Sequence, residues 1–345
     1  MVAKDPQRWC DKLKSQFQLK VVEEPRYYLG SDYSLSEKTG AWIVSSATYI
    51  KECIRKIEAD PLVGGELHGH KTPLPEGCHP ELDKSELLKP DMIQKYQMLL
   101  GSAQWAVTLN RLDIAFAVSS LSRFCVTPRL GHLKLALHLF GYLKKNPNRA
   151  LLMDSRPLRI DEEFNGPSFH PDFLEDYDGA TELLDPSLPT PYGDELPSTI
   201  FFDADWAHDA VTRRSITGLL SLIGSAPVNY MSKRQGCIAT STYCAEFIAM
   251  RAAVEEAISL RYMLRCLGIP VTSPTKLFGD NFGVIQTANV PESEMKRKHV
   301  SIAYHFVREA IAAKIIDLHW ISSSENFSDI CTKSLGSTLH GSIVT

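Results

Sequence analysis

Between Asp154 and Glu195 the chain carries twelve acidic residues against two basic ones, Arg156 and Arg159. Prolines at 157, 167, 171, 186, 189 and 191 punctuate the same stretch. Such a segment cannot bury enough apolar area to offset the entropy of ordering it, and neither a helical nor a strand period survives within it. It reads as a linker or solvated insertion; an acidic mimic of nucleic acid is the alternative reading. The 345-residue chain therefore divides into a first unit over 1–150, an acidic proline-rich linker over 151–197, a second unit over 198–336 and a tail over 337–345. At this length each unit can bury its own core.

The formal net charge of −4 disfavours, on its face, a nucleic-acid partner. The acidic segment alone nets −10, which leaves the remainder at +6, and the objection lapses. No apolar run approaches the ~18 residues of a membrane span. The first twelve residues lack the apolar stretch of a signal peptide. Eight scattered cysteines form neither a Cys-x-x-Cys pair nor a His-Cys cluster. That spacing argues against a zinc site or a disulfide framework, and for a reducing compartment.

Periodicity supplies the elements. Short strand-like runs at 27–30 and 41–44 precede an amphipathic helix over 47–57, and helical patterns follow at about 92–109, 113–124 and 130–144. Beyond the linker the order changes. Strands are expected at 198–203, 218–224 and 228–231, then a strong helix over 244–267 closed by Gly268, and a strand at 276–280. A short helix, a helix over 299–314, a strand over 315–321 and a terminal helix over 325–335 complete the unit. The pattern is α/β, a mixed sheet flanked by helices.

Four acids stand at element ends. Asp203 and Asp280 close strands after apolar runs, Glu246 lies near the start of the long helix, and Asp329 lies in the first turn of the last one. Carboxylates at strand ends project into one crevice in open α/β sheets. Converging acids repel unless cations bind them, and oxygen-only ligands point to magnesium or manganese rather than zinc. Two such ions suit in-line phosphodiester hydrolysis. Taken singly, each acid is also explained by turn formation or by favourable charge at a helix amino end.

The motifs sharpen this. Phe202-Asp-Ala-Asp-Trp206, Arg214-Ser-Ile-Thr-Gly218, Ser232-Lys-Arg-Gln235, Ala245-Glu-Phe-Ile-Ala249, Gly279-Asp-Asn281 and Glu325-Asn-Phe-Ser-Asp-Ile-Cys-Thr-Lys333 fall in this order. Upstream lie Tyr96-Gln-Met-Leu-Leu-Gly101 and Arg111-Leu-Asp-Ile-Ala-Phe-Ala-Val118. Together they resemble the C-terminal part of a copia-type LTR retrotransposon polyprotein, the end of its reverse transcriptase followed by its RNase H domain. The resemblance covers nearly all of 12–150 and 198–336. It implies an RNase H-like fold for 198–336, preceded by a mainly helical, thumb- or connection-like reverse-transcriptase region over 1–150.

The resemblance also implies a function. Asp203, Glu246, Asp280 and Asp329 would be both the catalytic residues and the ligands of two Mg2+ ions, with Mn2+ as a substitute. The substrate would be the RNA strand of an RNA–DNA hybrid, told from DNA by its 2′-hydroxyls. Thr242, Asn281, Lys233, Arg234 and Lys298 are the expected substrate contacts. Helix capping for the first two and solvated surface for the basic three stand beside that reading. The implied setting is the rest of the polyprotein, in the cytoplasm or nucleus and within virus-like particles where the element is active. The chain has no Tyr-x-Asp-Asp motif, so polymerisation is not expected from it. The family's Ser-Ser-Thr-Glu-Ala-Glu-Tyr reads Ser241-Thr-Tyr-Cys-Ala-Glu-Phe247 here, which keeps the metal Glu but replaces a nearby acid with Cys244. A catalytically inactive remnant that only binds nucleic acid is the alternative, and an integrase-type enzyme fits the acids less well. His319 is read as structural.

Overall fold

The acidic segment separates two sheets in sequence. In the computed structural model, which describes residues 6–18, 25–61, 65–160, 177–290 and 301–344, the first unit opens with helix α1 (Pro6–Lys14). Strands β1 (Tyr27–Tyr28), β2 (Ser31–Leu35) and β3 (Trp42–Ser45) follow, then α2 (Ala47–Glu58). Helices α3 (Pro90–Leu109), α4 (Ala115–Ser122) and α5 (Leu130–Lys145) lead into β4 (Ala150–Met153), which pairs antiparallel with β3. The helices form because apolar residues recur on one face. Tyr96, Leu99 and Ala103 of α3 and Leu139, Phe140 and Leu143 of α5 are buried together. The unit is thus a helical group beside a four-stranded sheet, with more strand than the sequence pattern suggested.

The second unit is one five-stranded sheet in the order β7-β6-β5-β8-β9. Strands β5 (Ser198–Asp205), β6 (Ile216–Ile223) and β7 (Ala226–Arg234) are antiparallel neighbours. Helix α6 (Thr242–Cys266) then crosses over, so β8 (Thr275–Gly279) runs parallel to β5. Helices α7 (Phe282–Asn289) and α8 (Ser301–Ala312) carry the chain to β9 (Ile316–Trp320), parallel to β8. Parallel pairing requires such crossovers, and strands covered on both faces read as continuous apolar runs. Ile200-Phe-Phe202 is such a run, and all three side chains are buried.

One face of this sheet packs on α6, α7 and α8 through Phe202, Phe247, Met250, Leu277 and Val307. The other face, through Phe201, Leu220, Leu222 and Phe278, packs against Ile330, Cys331 and Leu335, and takes in Leu112 from the first unit. Polar contacts join the two units. Arg123 pairs with Asp209 at 2.6 Å, Ala210 donates its N–H to Glu81 at 2.9 Å, and the Tyr230 hydroxyl donates to the Val107 carbonyl. The closing helix α9 (Ser337–Val344) brings His340 beside Asp113, whose carboxylate is held by Arg111 and Tyr142.

Three local expectations change. Asp203 does not end its strand: β5 continues to Asp205, and Asp203 pairs in register with Gly218. The terminal helix expected over 325–335 is a 3-10 turn, Phe327–Cys331, because Asn326 donates to the Phe202 carbonyl at 3.0 Å and caps Ser328. Those tertiary bonds override the helical charge pattern. The acidic segment, where described, is mostly exposed but is tied to the second unit at two acids. Glu182 binds Arg261 at 2.8 Å and Arg265 at 2.5 Å, and Glu195 accepts from the Thr272 and Ser273 amides at 2.7 and 2.6 Å. Residues 161–176 of that segment lie outside the described residues.

Candidate metal centre

Three of the four acids converge. Asp203 on β5, Glu246 on α6 and Asp280 just past β8 each offer a carboxylate oxygen, and these oxygens all lie within 4.8 Å of one another. Two glycines let the elements approach this closely. A Cβ at Gly279 would stand 2.4 Å from the Phe202 ring, and one at Gly218 would stand 2.5 Å from Thr332 Cγ2. Close backbone approach of this kind is the use of glycine inside a strand. Glu246 faces the sheet because Ser241 starts α6 by accepting the Cys244 N–H at 3.3 Å. That fixes the helical phase in which Phe247, Met250 and Val254 are buried and Glu246 is turned toward Asp203.

Asp329 completes the group by another route. It sits on the 3-10 turn beside Asp203, and the two acids are bridged by Lys333, whose Nζ is 2.9 Å from Asp329 Oδ1 and 3.5 Å from Asp203 Oδ2. The Thr332 hydroxyl donates to the same Asp203 Oδ2 at 2.5 Å. Asp280 is positioned by the Ser323 hydroxyl, while its backbone carbonyl accepts from Trp320 Nε1 at 2.9 Å.

The electrostatics are those of a crowded anionic pocket. Burial, then the charges of Asp203 and Asp280, push the Glu246 carboxyl well above the usual carboxylate range. Burial and Asp203 raise Asp280, and the same two causes lift Asp329 to about 6. Burial pulls the Lys333 ammonium down, but Asp203 and Asp329 more than offset this and hold it above its ordinary value. Glu246 Oε2 is buried without a hydrogen-bond partner among the described residues. An orphaned oxygen is costly in a folded interior, and a ligand that satisfies it is a physical explanation for its persistence. The donor set is all carboxylate, which suits a hard divalent cation of the magnesium or manganese type. The residues present fit such an ion.

The remaining expected contacts divide. Asn281 accepts the Val284 N–H at 3.2 Å and caps α7, the local role that stood as its alternative. Thr242 opens α6 and is exposed, next to the true cap Ser241. Arg234 is engaged with Asp209 at 3.2 Å. Lys233 is exposed on the edge strand β7, on the rim of a cavity of about 390 Å³ shared with Thr217, Gln235 and Glu256. Lys298 lies outside the described residues. His319 is buried, stacks on Phe278 and bonds Asp317 at 3.1 Å, a structural position. Sequence reading assigned no role to Thr332 or Lys333. The available signal was a lysine four residues beyond an acid, the spacing at which opposite charges meet on a helical turn.

No family model matches the chain. It is similar, at 25% identity over 331 residues, to the retrovirus-related Pol polyprotein from transposon RE1 of Arabidopsis thaliana, covering 95% of this chain and 19% of that one. The corresponding polyprotein from transposon TNT 1-94 of Nicotiana tabacum is 25% identical over 325 residues, covering 93% of this chain and 21% of that one. The copia-type resemblance therefore holds along nearly the whole chain. The chain spans about one fifth of the length of these polyproteins. Among solved structures, the N-terminal RNase H domain of a Mycobacterium tuberculosis protein covers 43% of this chain and 96% of its own, at 12% identity and a TM-score of 0.32. At that score the likeness carries no weight of its own. The mixed sheet, its strand order and its flanking helices carry the fold assignment, an RNase H-like α/β domain.

Proposed function

We propose that the second unit hydrolyses the RNA strand of RNA–DNA hybrids with two divalent metal ions, and that the first unit is the end of a reverse transcriptase lacking its polymerase site. The observation that carries the reading is the convergence of Asp203, Glu246 and Asp280 within 4.8 Å around a Glu246 oxygen that has no partner among the described residues. Acids that repel one another this strongly are held there by the fold against their own electrostatics. Such perturbed groups cluster where chemistry is done.

In this reading Asp203, Glu246 and Asp280 would hold one ion, and Asp203 and Asp329 a second. Bound there, the ions would supply Lewis-acid charge at the scissile phosphate and make water acidic enough to attack near neutral pH. The chain's own residues do the positioning. Thr332 fixes one oxygen of Asp203, Ser323 fixes Asp280, and the Asn326 bond to the Phe202 carbonyl holds the turn that carries Asp329 against the strand that carries Asp203. Phe282 and Trp320 pack edge to face at 6.3 Å beside Asp280, and both are exposed. Flat apolar rings there can lie against the sugars or bases of a bound strand. Lys233, on β7 at the opposite edge of the sheet, offers a phosphate contact.

The test is cleavage of an end-labelled RNA annealed to DNA, with Mg2+, by the full chain. The expected result is cutting of the RNA strand alone, abolished by EDTA and by Asp203→Asn, with duplex DNA of the same sequence left intact. A wild-type chain that binds the hybrid in Mg2+ without cutting it would instead establish the inactive, binding-only alternative.

A further inference from the structure

The metal-centre reading leaves one group in the pocket without a role. Lys333 places a cation among the acids: its Nζ contacts Asp329 and Asp203, and the fields of Glu246 and Asp280 include it as well. Asp203 and Asp329 are almost wholly buried, with side chains 3% and 9% exposed, whereas the Lys333 side chain is 38% exposed. The acids are fixed by the fold, and the ammonium has open solvent into which it can withdraw. Lysine suits such a part, being a compact point charge on a flexible stem, unlike the planar fork of arginine.

We propose that Lys333 is the resident counter-cation of the metal-free site. It holds the position between Asp203 and Asp329 and must yield it before a second divalent ion can bind there. The inference rests on the metal-centre reading and adds to it an ordering of occupancy. The Asp203–Glu246–Asp280 position, which among the described residues carries no ammonium contact on Glu246 or Asp280, fills first. The Asp203–Asp329 position fills second and more weakly, because each entering ion displaces a charge-assisted hydrogen bond. Lys333 thereby sets the concentration at which the site passes from one ion to two, and it keeps Asp329 in place until then. It is a positioning residue that acts through the two acids.

Mn2+ binding, followed by the electron paramagnetic signal of the free ion, tests this on the full-length wild type, Lys333→Met, Lys333→Arg and Asp203→Asn. The wild type should show one tighter and one weaker site. Lys333→Met should tighten the weaker site at least tenfold and leave the tighter one within about threefold. Lys333→Arg, whose planar fork grips carboxylates more firmly, should weaken the weaker site further and leave the tighter one within about threefold. In EDTA, Lys333→Met should also melt at a lower temperature than wild type, with the loss recovered on adding Mn2+. A folded Lys333→Met chain whose weaker site is unchanged or weakened would overturn the proposal, since the lysine would then only be supporting Asp329. Should Lys333→Met fail to fold even with Mn2+, Lys333→Gln is read by the same criterion. Asp203→Asn separates the two readings: wild-type Mn2+ binding by that variant would refute the metal centre itself.

Discussion

Replacing Glu246 with glutamine should make the metal-free protein more stable. The residue is 4% exposed, one of its carboxylate oxygens has no partner among the described residues, and Asp203 and Asp280 both face it. Its folded-state pKa is raised, so by linkage its contribution favours the fold below the ordinary value of 4.5 and is lost as pH rises. The cost at pH 7 is limited by the gap between 7 and that value. At about 1.4 kcal/mol per pH unit, this caps the penalty at about 3.5 kcal/mol. Glutamine keeps the shape, removes the charge and can donate to Asp203. The expected outcome in EDTA at pH 7 is therefore a gain in stability no larger than that cap, read as a rise in Tm. Thermal melts of both proteins in EDTA at pH 7 and pH 4.5 measure it. The difference should shrink toward zero at the lower pH, where the native carboxyl is already neutral. Equal or lower stability of Glu246→Gln at pH 7 would refute the claim that this acid is held against its own electrostatics.

Other outcomes follow from the same geometry. Gly218→Ala puts a methyl 2.5 Å from Thr332 Cγ2 and 2.9 Å from the Ser328 carbonyl, which should push the Asp329 turn off the sheet. Denaturant unfolding should show a loss of about 1–3 kcal/mol, and Mn2+ binding should weaken with it. Glu182, held near a pKa of about 2 by Arg265 and Arg261 against the opposing effect of burial, should cost about 2–3 kcal/mol when changed to Gln. That contribution is present above about pH 4.5 and fades as pH falls toward 2, so urea melts of the pair should converge in acid. Asp329 behaves in the opposite sense. Its raised pKa of about 6 stabilises the metal-free fold below about pH 4 and is lost as pH rises through 6, a slope that Asp329→Asn should flatten. Because a ligand must ionise to bind, Mn2+ affinity should climb across that same window in the wild type.

Much of this was legible in the chain, because strand and helix periods are local. The strands expected at 198–203, 276–280 and 315–321 match β5, β8 and β9 to within two residues, and the long helix expected over 244–267 matches α6. Asp203, Glu246 and Asp280 were all selected by their place at element ends, and the fold brings them together. What the sequence concealed was non-local. The Glu325–Leu335 stretch has the charges of a helix, yet Asn326 spends its amide on the Phe202 carbonyl and stops it at a 3-10 turn. Glu182 looked like one more solvated acid. Its partners Arg261 and Arg265 lie some eighty residues away, and no local period announces such a pair. Asn281 and Thr242 neighbour the acids in sequence, but capping claims Asn281 and Thr242 remains at the surface.

Crystals of the full chain soaked in Mn2+ and measured at the manganese absorption edge would test the central claim most directly. The account expects one strong anomalous peak bounded by Asp203, Glu246 and Asp280. At higher Mn2+ a second should appear between Asp203 and Asp329, with the Lys333 ammonium withdrawn from both acids. Diffraction of equal quality with no peak at these carboxylates would contradict it.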